Sequence, residues 1–205
     1  MNFNFNEGLV QCVFSFSRNI TNTMLAVKSF LVLWAVLSTI SDGLARFTTY
    51  NEYFNLNCTS GQSFHRFTSF HGSYDRSWSI RCKKIEPAIE FRKCEWSNLV
   101  NDVTDRVLFQ CHNDAMLTGI FTIYFGSNYD RKYEFQCCEP DPSYVLHSCF
   151  YTGRLNTRYG NISYRIPDGW YLRGLYITAQ YERDRTFYFQ LCRIGKIELE
   201  QKDQC

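Results

Sequence analysis

The stretch Asp75-Arg76-Ser77-Trp78-Ser79-Ile80-Arg81-Cys82 decides the fold, because the chain writes it three times. It returns as Asp130-Arg131-Lys132-Tyr133-Glu134-Phe135-Gln136-Cys137-Cys138, and again as Asp184-Arg185-Thr186-Phe187-Tyr188-Phe189-Gln190-Leu191-Cys192. The shared pattern is Asp-Arg-x-aromatic-x-apolar followed by cysteine, and the aspartates stand 55 and then 54 residues apart. Within each copy the residues alternate. Arg76, Trp78, Ile80 and Cys82 share one face of a strand, and Asp75, Ser77, Ser79 and Arg81 share the other. Period-two alternation is the mark of a half-buried antiparallel strand.

Upstream of each copy lies an apolar stretch rich in β-formers: Phe64–Phe70, Leu117–Phe125 and Tyr171–Ile177. Turn residues join stretch to copy (His71-Gly72-Ser73, Gly126-Ser127-Asn128, Gln180-Tyr181-Glu182), so each unit reads as a hairpin. Asp105–Cys111 is a further strand without being a repeat, and Glu90–Val100 reads as an irregular loop or short helix because its period is poor. Arg154–Gly169 reads as a polar connection, and the tail from Glu198 as frayed. The fold class is therefore all-β: three related, disulfide-closed hairpins in one domain, with a pseudo-threefold barrel or prism as a candidate geometry.

Each arginine lies on the aromatic side of its strand. A guanidinium can stack on a ring and still bind a carboxylate or loop carbonyls. Threefold placement at equivalent turns favours a packing role for Arg76, Arg131 and Arg185 over a ligand-binding set, because buried charges occur paired.

The chain has 205 residues, 45% of them apolar and 20% charged, with 18% aromatics, 10 cysteines and a net charge of +2. These values exclude a disordered chain and give no electrostatic case for nucleic acid. Residues 1–45 are set apart. Lys28, the apolar run Phe30–Leu37 and the small residues of Gly43-Leu44-Ala45 follow the layout of a secretory signal over 24–45, cleaved after Ala45. An uncleaved anchor or a buried helix is the bland alternative; the uncharged stretch Ser29–Ser41 is short of the ~18–20 residues that span a bilayer. Residues 46–205 form the expected domain, long enough for a real core.

Export places the cysteines in an oxidising compartment, where disulfides are the default. Nine fall in the domain: Cys58, Cys82, Cys94, Cys111, Cys137, Cys138, Cys149, Cys192 and Cys205. Cysteine arithmetic alone fixes no connectivity. Cys137 and Cys138 point to opposite faces of a strand and must take different partners. Cys111-His112 and His147…Cys149 raise zinc binding or a Cys–His nucleophile, but there are no paired Cys-x-x-Cys knuckles and nothing marks a reduced thiol. No metal, no cofactor and no catalytic residues are expected.

With the three repeats, the Cys137-Cys138 doublet and Trp170-Tyr171-Leu172-Arg173-Gly174 in view, residues 53–194 resemble the dermatopontin family. The resemblance implies a secreted, non-enzymatic, disulfide-bonded protein of the extracellular matrix. Its implied partners are dermatan-sulfate-type proteoglycan or other glycans, collagen and the cell surface, with support of fibril organisation. The alternative it carries is a soluble lectin-like agglutinin or cell-aggregation factor. Matched position by position, the family's disulfides imply Cys58–Cys82, Cys94–Cys137, Cys111–Cys138 and Cys149–Cys192. The chain lacks a further family cysteine between Cys138 and Cys149, which leaves Cys205 free or as the link of a disulfide dimer. Of the family's acidic, tyrosine-rich N-terminal stretch only Tyr50-Asn51-Glu52-Tyr53 remains.

Two N-glycosylation sequons fall in the domain, Asn57-Cys58-Thr59 and Asn161-Ile162-Ser163. Arg81, Lys83 and Lys84, with Arg92 and Lys93, are the candidate glycosaminoglycan-binding cations, against the bland reading of a solvated surface.

Overall fold

A computed structural model describes residues 46–86, 88–181 and 183–197. The leader, the tail from residue 198 and Cys205 lie outside the described residues.

Hairpin formation follows the repeated alternation. β2 (Gln62–His71) pairs with β3 (Arg76–Lys84), β6 (Met116–Phe125) with β7 (Asp130–Pro140), and β10 (Trp170–Ile177) with β11 (Phe187–Lys196), all antiparallel. The first strand of each hairpin carries a bulge at the same place, between Phe64 and Arg66, Leu117 and Gly119, and Leu172 and Gly174. A bulge adds one residue, bends the strand and resets which side chains face outward.

Shorter strands complete the sheets: β1 (Phe54–Asn57), β4 (Phe91–Trp96), β5 (Val107–Gln110), β8 (Tyr144–Tyr151) and β9 (Ile162–Arg165). The sheet orders are β3-β2-β9, β1-β6-β7-β4 and β5-β10-β11-β8, called here the first, second and third lobes. The chain interleaves them. β1 precedes the first hairpin but pairs with the second, β5 precedes the second but pairs with the third, and β9 returns from late in the chain to the first. Each lobe therefore borrows a strand from a neighbouring repeat, and the borrowing closes on itself.

The inner faces meet in one apolar core. The leading hairpin strands β2, β6 and β10 touch pairwise. Phe67 of the first lobe lies 4.5 Å from Phe189 of the third, and Trp78 lies 5.0 Å from Phe187. Phe67, Phe135 and Leu191 have no exposed surface.

The all-β, three-hairpin expectation holds, and two local readings are corrected. Glu90–Val100 contains β4, a strand at a sheet edge with five of its six residues exposed; with no face buried, it carries no hydrophobic alternation to read. The polar connection Arg154–Gly169 contains β9, announced only by Ile162 and Tyr164 turning inward beside exposed Ser163 and Arg165.

The disulfides correct the expectation implied by the resemblance. The structure joins Cys58 to Cys82 and Cys149 to Cys192, but the doublet's partners are exchanged: Cys94 bonds Cys138, and Cys111 bonds Cys137. The register is the reason. Antiparallel pairing of β4 with β7 sets Cys94 opposite Cys138 with Cα atoms 4.0 Å apart, within bonding reach. Cys137 then points to the other face, where Cys111 follows β5 at 5.6 Å. Cys94–Cys138 and Cys149–Cys192 are one bond written twice, and so are Cys58–Cys82 and Cys111–Cys137. In the third lobe the latter position holds the fully buried pair Ile166 and Leu191.

Candidate functional site

The repeated Asp-Arg pairs converge in a closed ring. Arg131 binds Asp75 through Nε (2.7 Å) and Nη2 (2.5 Å), Arg185 binds Asp130 (2.7 and 2.6 Å), and Arg76 binds Asp184 (2.7 Å for both). Each arginine takes the aspartate of the preceding repeat, and the third repeat closes on the first. All six side chains are at least 93% buried.

One loop clamps each pair. The Asn51 N–H donates to Asp75 (2.8 Å), and the Glu52 carbonyl accepts from Arg131 (2.9 Å). Thr104 and Asp105 do the same for Asp130 and Arg185 (2.6 and 2.6 Å), and Tyr159 and Gly160 for Asp184 and Arg76 (2.7 and 3.0 Å). The donating residues share a left-handed backbone, with φ of 61°, 70° and 58°. That conformation is costly for residues with a side chain and persists where surrounding bonds enforce it.

The aromatic residues of the motif line the core beneath, and Arg131 also lies over Phe54 (4.9 Å) and Tyr124 (5.4 Å). Burial opposes the Arg185 charge most strongly of any single effect, but the bond to Asp130 and the charges of Tyr133, Asp130 and Asp105 together outweigh it and raise the pKa. Tyr133, fully enclosed, has its pKa pushed up to about 12 by desolvation. On the outer side Tyr74 and Tyr129 stack at 4.8 Å, with the Arg183 guanidinium 4.7 Å from both rings.

Asp75, Arg76, Asp130, Arg131, Asp184 and Arg185 are thus bonded to one another and to the main chain, the arrangement of a structural lock. Beside it, Asn101 bridges Tyr133 N–H (3.0 Å) and Arg131 O (3.1 Å), and Asn156 bridges Phe187 N–H (3.1 Å) and Arg185 O (2.9 Å). The clamps and the bridging asparagines escaped the sequence reading. For the asparagines a signal was present, since Asn101 and Asn156 stand 55 residues apart, a spacing of the repeat itself; the clamps at Asn51, Thr104 and Tyr159 share no residue type.

The basic residues do not assemble as their sequence clusters suggest. Arg81, Lys83 and Lys84 lie on β3 of the first lobe; Arg92 and Lys93 lie on β4 of the second. Arg92 pairs with Glu139 (2.8 Å) and Lys93 with Glu95 (2.6 Å). What the first lobe does build is a row across three strands. Arg66 on β2 stands opposite Arg81 on β3 and Arg165 on β9, and all three are exposed. Lys83 follows on the same face as Arg81, paired with Asp168 (2.7 Å), which also lies 3.4 Å from Arg165.

The neighbouring His65 reports the local field: desolvation first, then Lys83 and Arg165, push its pKa down. Like charges directly opposite in a sheet are destabilising. Asp168, 2.7 Å from Lys83 and 3.4 Å from Arg165, offsets part of that repulsion, and the long forked arginine side chains suit sulfate or carboxylate oxygens.

Asn57, at the end of β1, and Asn161, just before β9, are both exposed. The two cysteines considered as thiol nucleophiles or metal ligands, Cys111 and Cys149, are bridged. Among the described residues no three of His, Cys, Asp and Glu gather as a metal site.

Comparison with known proteins agrees with the repeats. The Dermatopontin family model matches residues 48–196. The hemagglutinin/amebocyte aggregation factor of Limulus polyphemus is 24% identical over 163 residues, covering 78% of this chain and 93% of the relative. Dermatopontin of Homo sapiens is 29% identical over 157 residues, 72% of this chain and 76% of the relative. Millepora cytotoxin-1 of Millepora dichotoma is 26% identical over 146 residues, 70% and 64% respectively. No solved structure matches.

Proposed function

The chain belongs to the dermatopontin family, and from that premise we propose that it is an exported, non-enzymatic protein of the extracellular matrix that adheres by holding sulfated polysaccharide on the Arg81–Arg66–Arg165 row. Proteoglycan chains of the dermatan-sulfate type are the ligand class, and matrix collagen and cell surfaces are the structures it joins. The observation that carries this reading is the register itself, which aligns three exposed arginines on adjacent strands. A flat cationic row on a rigid sheet suits a linear polyanion better than a compact substrate. Support for adhesion as the task comes from relatives named as a dermatopontin and as a hemagglutinin and aggregation factor. Residues 24–45 serve as the secretory signal, and Asn161 and Asn57 carry N-glycans in this reading.

Elution from immobilised dermatan sulfate or heparin tests it. Exposed-charge binding weakens as salt screens it. The wild type elutes at raised salt, and the Arg66→Ser/Arg165→Ser variant elutes markedly earlier. Identical elution of the two proteins, or retention indifferent to salt, overturns the assignment.

A further inference from the structure

The residue just before each ring aspartate occupies a threefold-equivalent position of its own. It is Tyr74 before Asp75, Tyr129 before Asp130 and Arg183 before Asp184. The closed ring brings these three side chains together over its outer mouth. The Tyr74 and Tyr129 rings lie with centroids 4.8 Å apart and planes 26° from parallel, and the Arg183 guanidinium is 4.7 Å from each. Aromatic pairs in proteins span about 4.5–7 Å, so the two phenols stand near the close limit.

Their seats are rigid. The first hairpin turn is closed by Gly72 N–H to Asp75 O (2.7 Å), and the second by Asn128 N–H to Phe125 O (3.1 Å). Tyr129 and Arg183 both hold a left-handed backbone, with φ of 53° and 67°. The Gln180 side chain of the third repeat donates to Asn128 O (3.0 Å) and Tyr129 O (2.5 Å). The aspartates that follow are fixed in the ring, Asp75 to Arg131 and Asp130 to Arg185. Both phenols are nonetheless open to solvent, Tyr74 at 41% and Tyr129 at 39%, whereas Tyr133 and Tyr171 are buried in the core.

We propose that Tyr74 and Tyr129 are an oxidative modification site, at which a haem peroxidase with hydrogen peroxide joins the two rings as dityrosine. The oxidant takes one electron from each phenol, and each hydroxyl gives up its proton. The two radicals couple through the ring carbons beside the hydroxyls, forming one C–C bond. The hydrogens on those carbons then return to the phenol oxygens. In all, two hydrogen atoms leave the protein and one hydrogen peroxide becomes two waters. Both partners are already held in contact, which favours coupling within one chain over collision between separate chains. Arg183 fills the third equivalent position with a group that cannot form this bond, so the product joins the first repeat to the second alone. None of the four described disulfides links those two turns.

Treatment of the dilute full chain with peroxidase and hydrogen peroxide tests this, read by dityrosine fluorescence of the monomer band on a reducing gel and by mass spectrometry of its peptides. The wild-type monomer becomes fluorescent, and one linked pair of peptides contains Tyr74 and Tyr129 at their summed mass less two hydrogens. Tyr74→Phe and Tyr129→Phe keep the rings and remove one hydroxyl each; either change abolishes the monomer's fluorescence, while the melting temperature is unchanged. Tyr181→Phe removes a more exposed phenol, at 65%, and leaves the fluorescence as it was. Tyr176 and Tyr188, a tyrosine pair 5.5 Å apart in the third lobe, stay unlinked. Cross-links confined to dimers and larger species, linkage of Tyr176 to Tyr188 in place of Tyr74 to Tyr129, or monomer fluorescence that survives Tyr74→Phe overturns the proposal.

Discussion

Removing one arginine from the ring is the most demanding perturbation of the scaffold. Arg131→Met deletes two bonds to Asp75 and one to the Glu52 carbonyl and leaves the Asp75 carboxylate, 93% buried, with the Asn51 N–H. Breaking a buried ion pair from one side costs about 3–5 kcal/mol, because the remaining charge is neither solvated nor matched. For a domain of this size each kcal/mol shifts the melting temperature by roughly 2–4 °C, so a fall of roughly 6–20 °C is expected by calorimetry. Asp75→Leu strands Arg131 and falls in the same range. The double variant removes both charges and leaves apolar groups, so it loses less than either single change. The surface pair Lys132–Asp102 is the control. Asp102 is 79% exposed, and Asp102→Ser leaves the melting temperature unchanged. A single variant melting within a few degrees of wild type, or additive losses in the double, would refute a coupled buried ring.

Four further outcomes follow from other parts of the molecule. Tyr133 titrates at about 12 in the folded chain, raised from the ordinary value near 10; its contribution is complete below pH 10 and lost as pH rises toward 12, so Tyr133→Phe unfolds at higher pH than wild type in an alkaline titration. Asn156→Ala orphans the buried Phe187 N–H and Arg185 carbonyl and costs about 1–3 kcal/mol in chemical denaturation, against a prediction of no change if the amide were merely space-filling. Ile166→Cys with Leu191→Cys fills the third copy of the inner disulfide; the bond forms on oxidation and adds up to about 3 kcal/mol over the reduced variant, and persistence of both thiols would count against the threefold equivalence. Arg66→Gln relieves repulsion in the arginine row, so it melts no lower than wild type while binding heparin more weakly; a clear loss of stability would mean that the row is structural.

Much of this architecture is readable from one alternating motif. Trp78, Tyr133 and Phe187 announce their strands because one face of each is buried. β4 is invisible for the opposite reason: Arg92, Lys93, Cys94 and Glu95 are all exposed, so no face imposes a pattern. The ring shows a different limit. Alternation places Asp75 on the polar face, but not its bonding across lobes to Arg131, which depends on long-range closure. The doublet's partners were within reach of the repeat itself. Shifting Cys82 by one period lands on Cys137 and brings Cys58 to within two residues of Cys111, whereas the opposite-faces rule leaves both pairings open. The arginine row was half seen. Arg81 and Lys83 are close in sequence, while Arg66 and Arg165 reach them only through strand register and a bulge.

The three lobes repeat one register, and the doublet is where that register can be checked at single-bond resolution. Mass spectrometry of the unreduced, proteolysed protein, with fragmentation between Cys137 and Cys138, assigns each sulfur its partner. The account predicts Cys111 on Cys137 and Cys94 on Cys138. Cys111 found on Cys138 and Cys94 on Cys137 would contradict it, because the β4–β7 register that sets Cys94 opposite Cys138 cannot produce that connection.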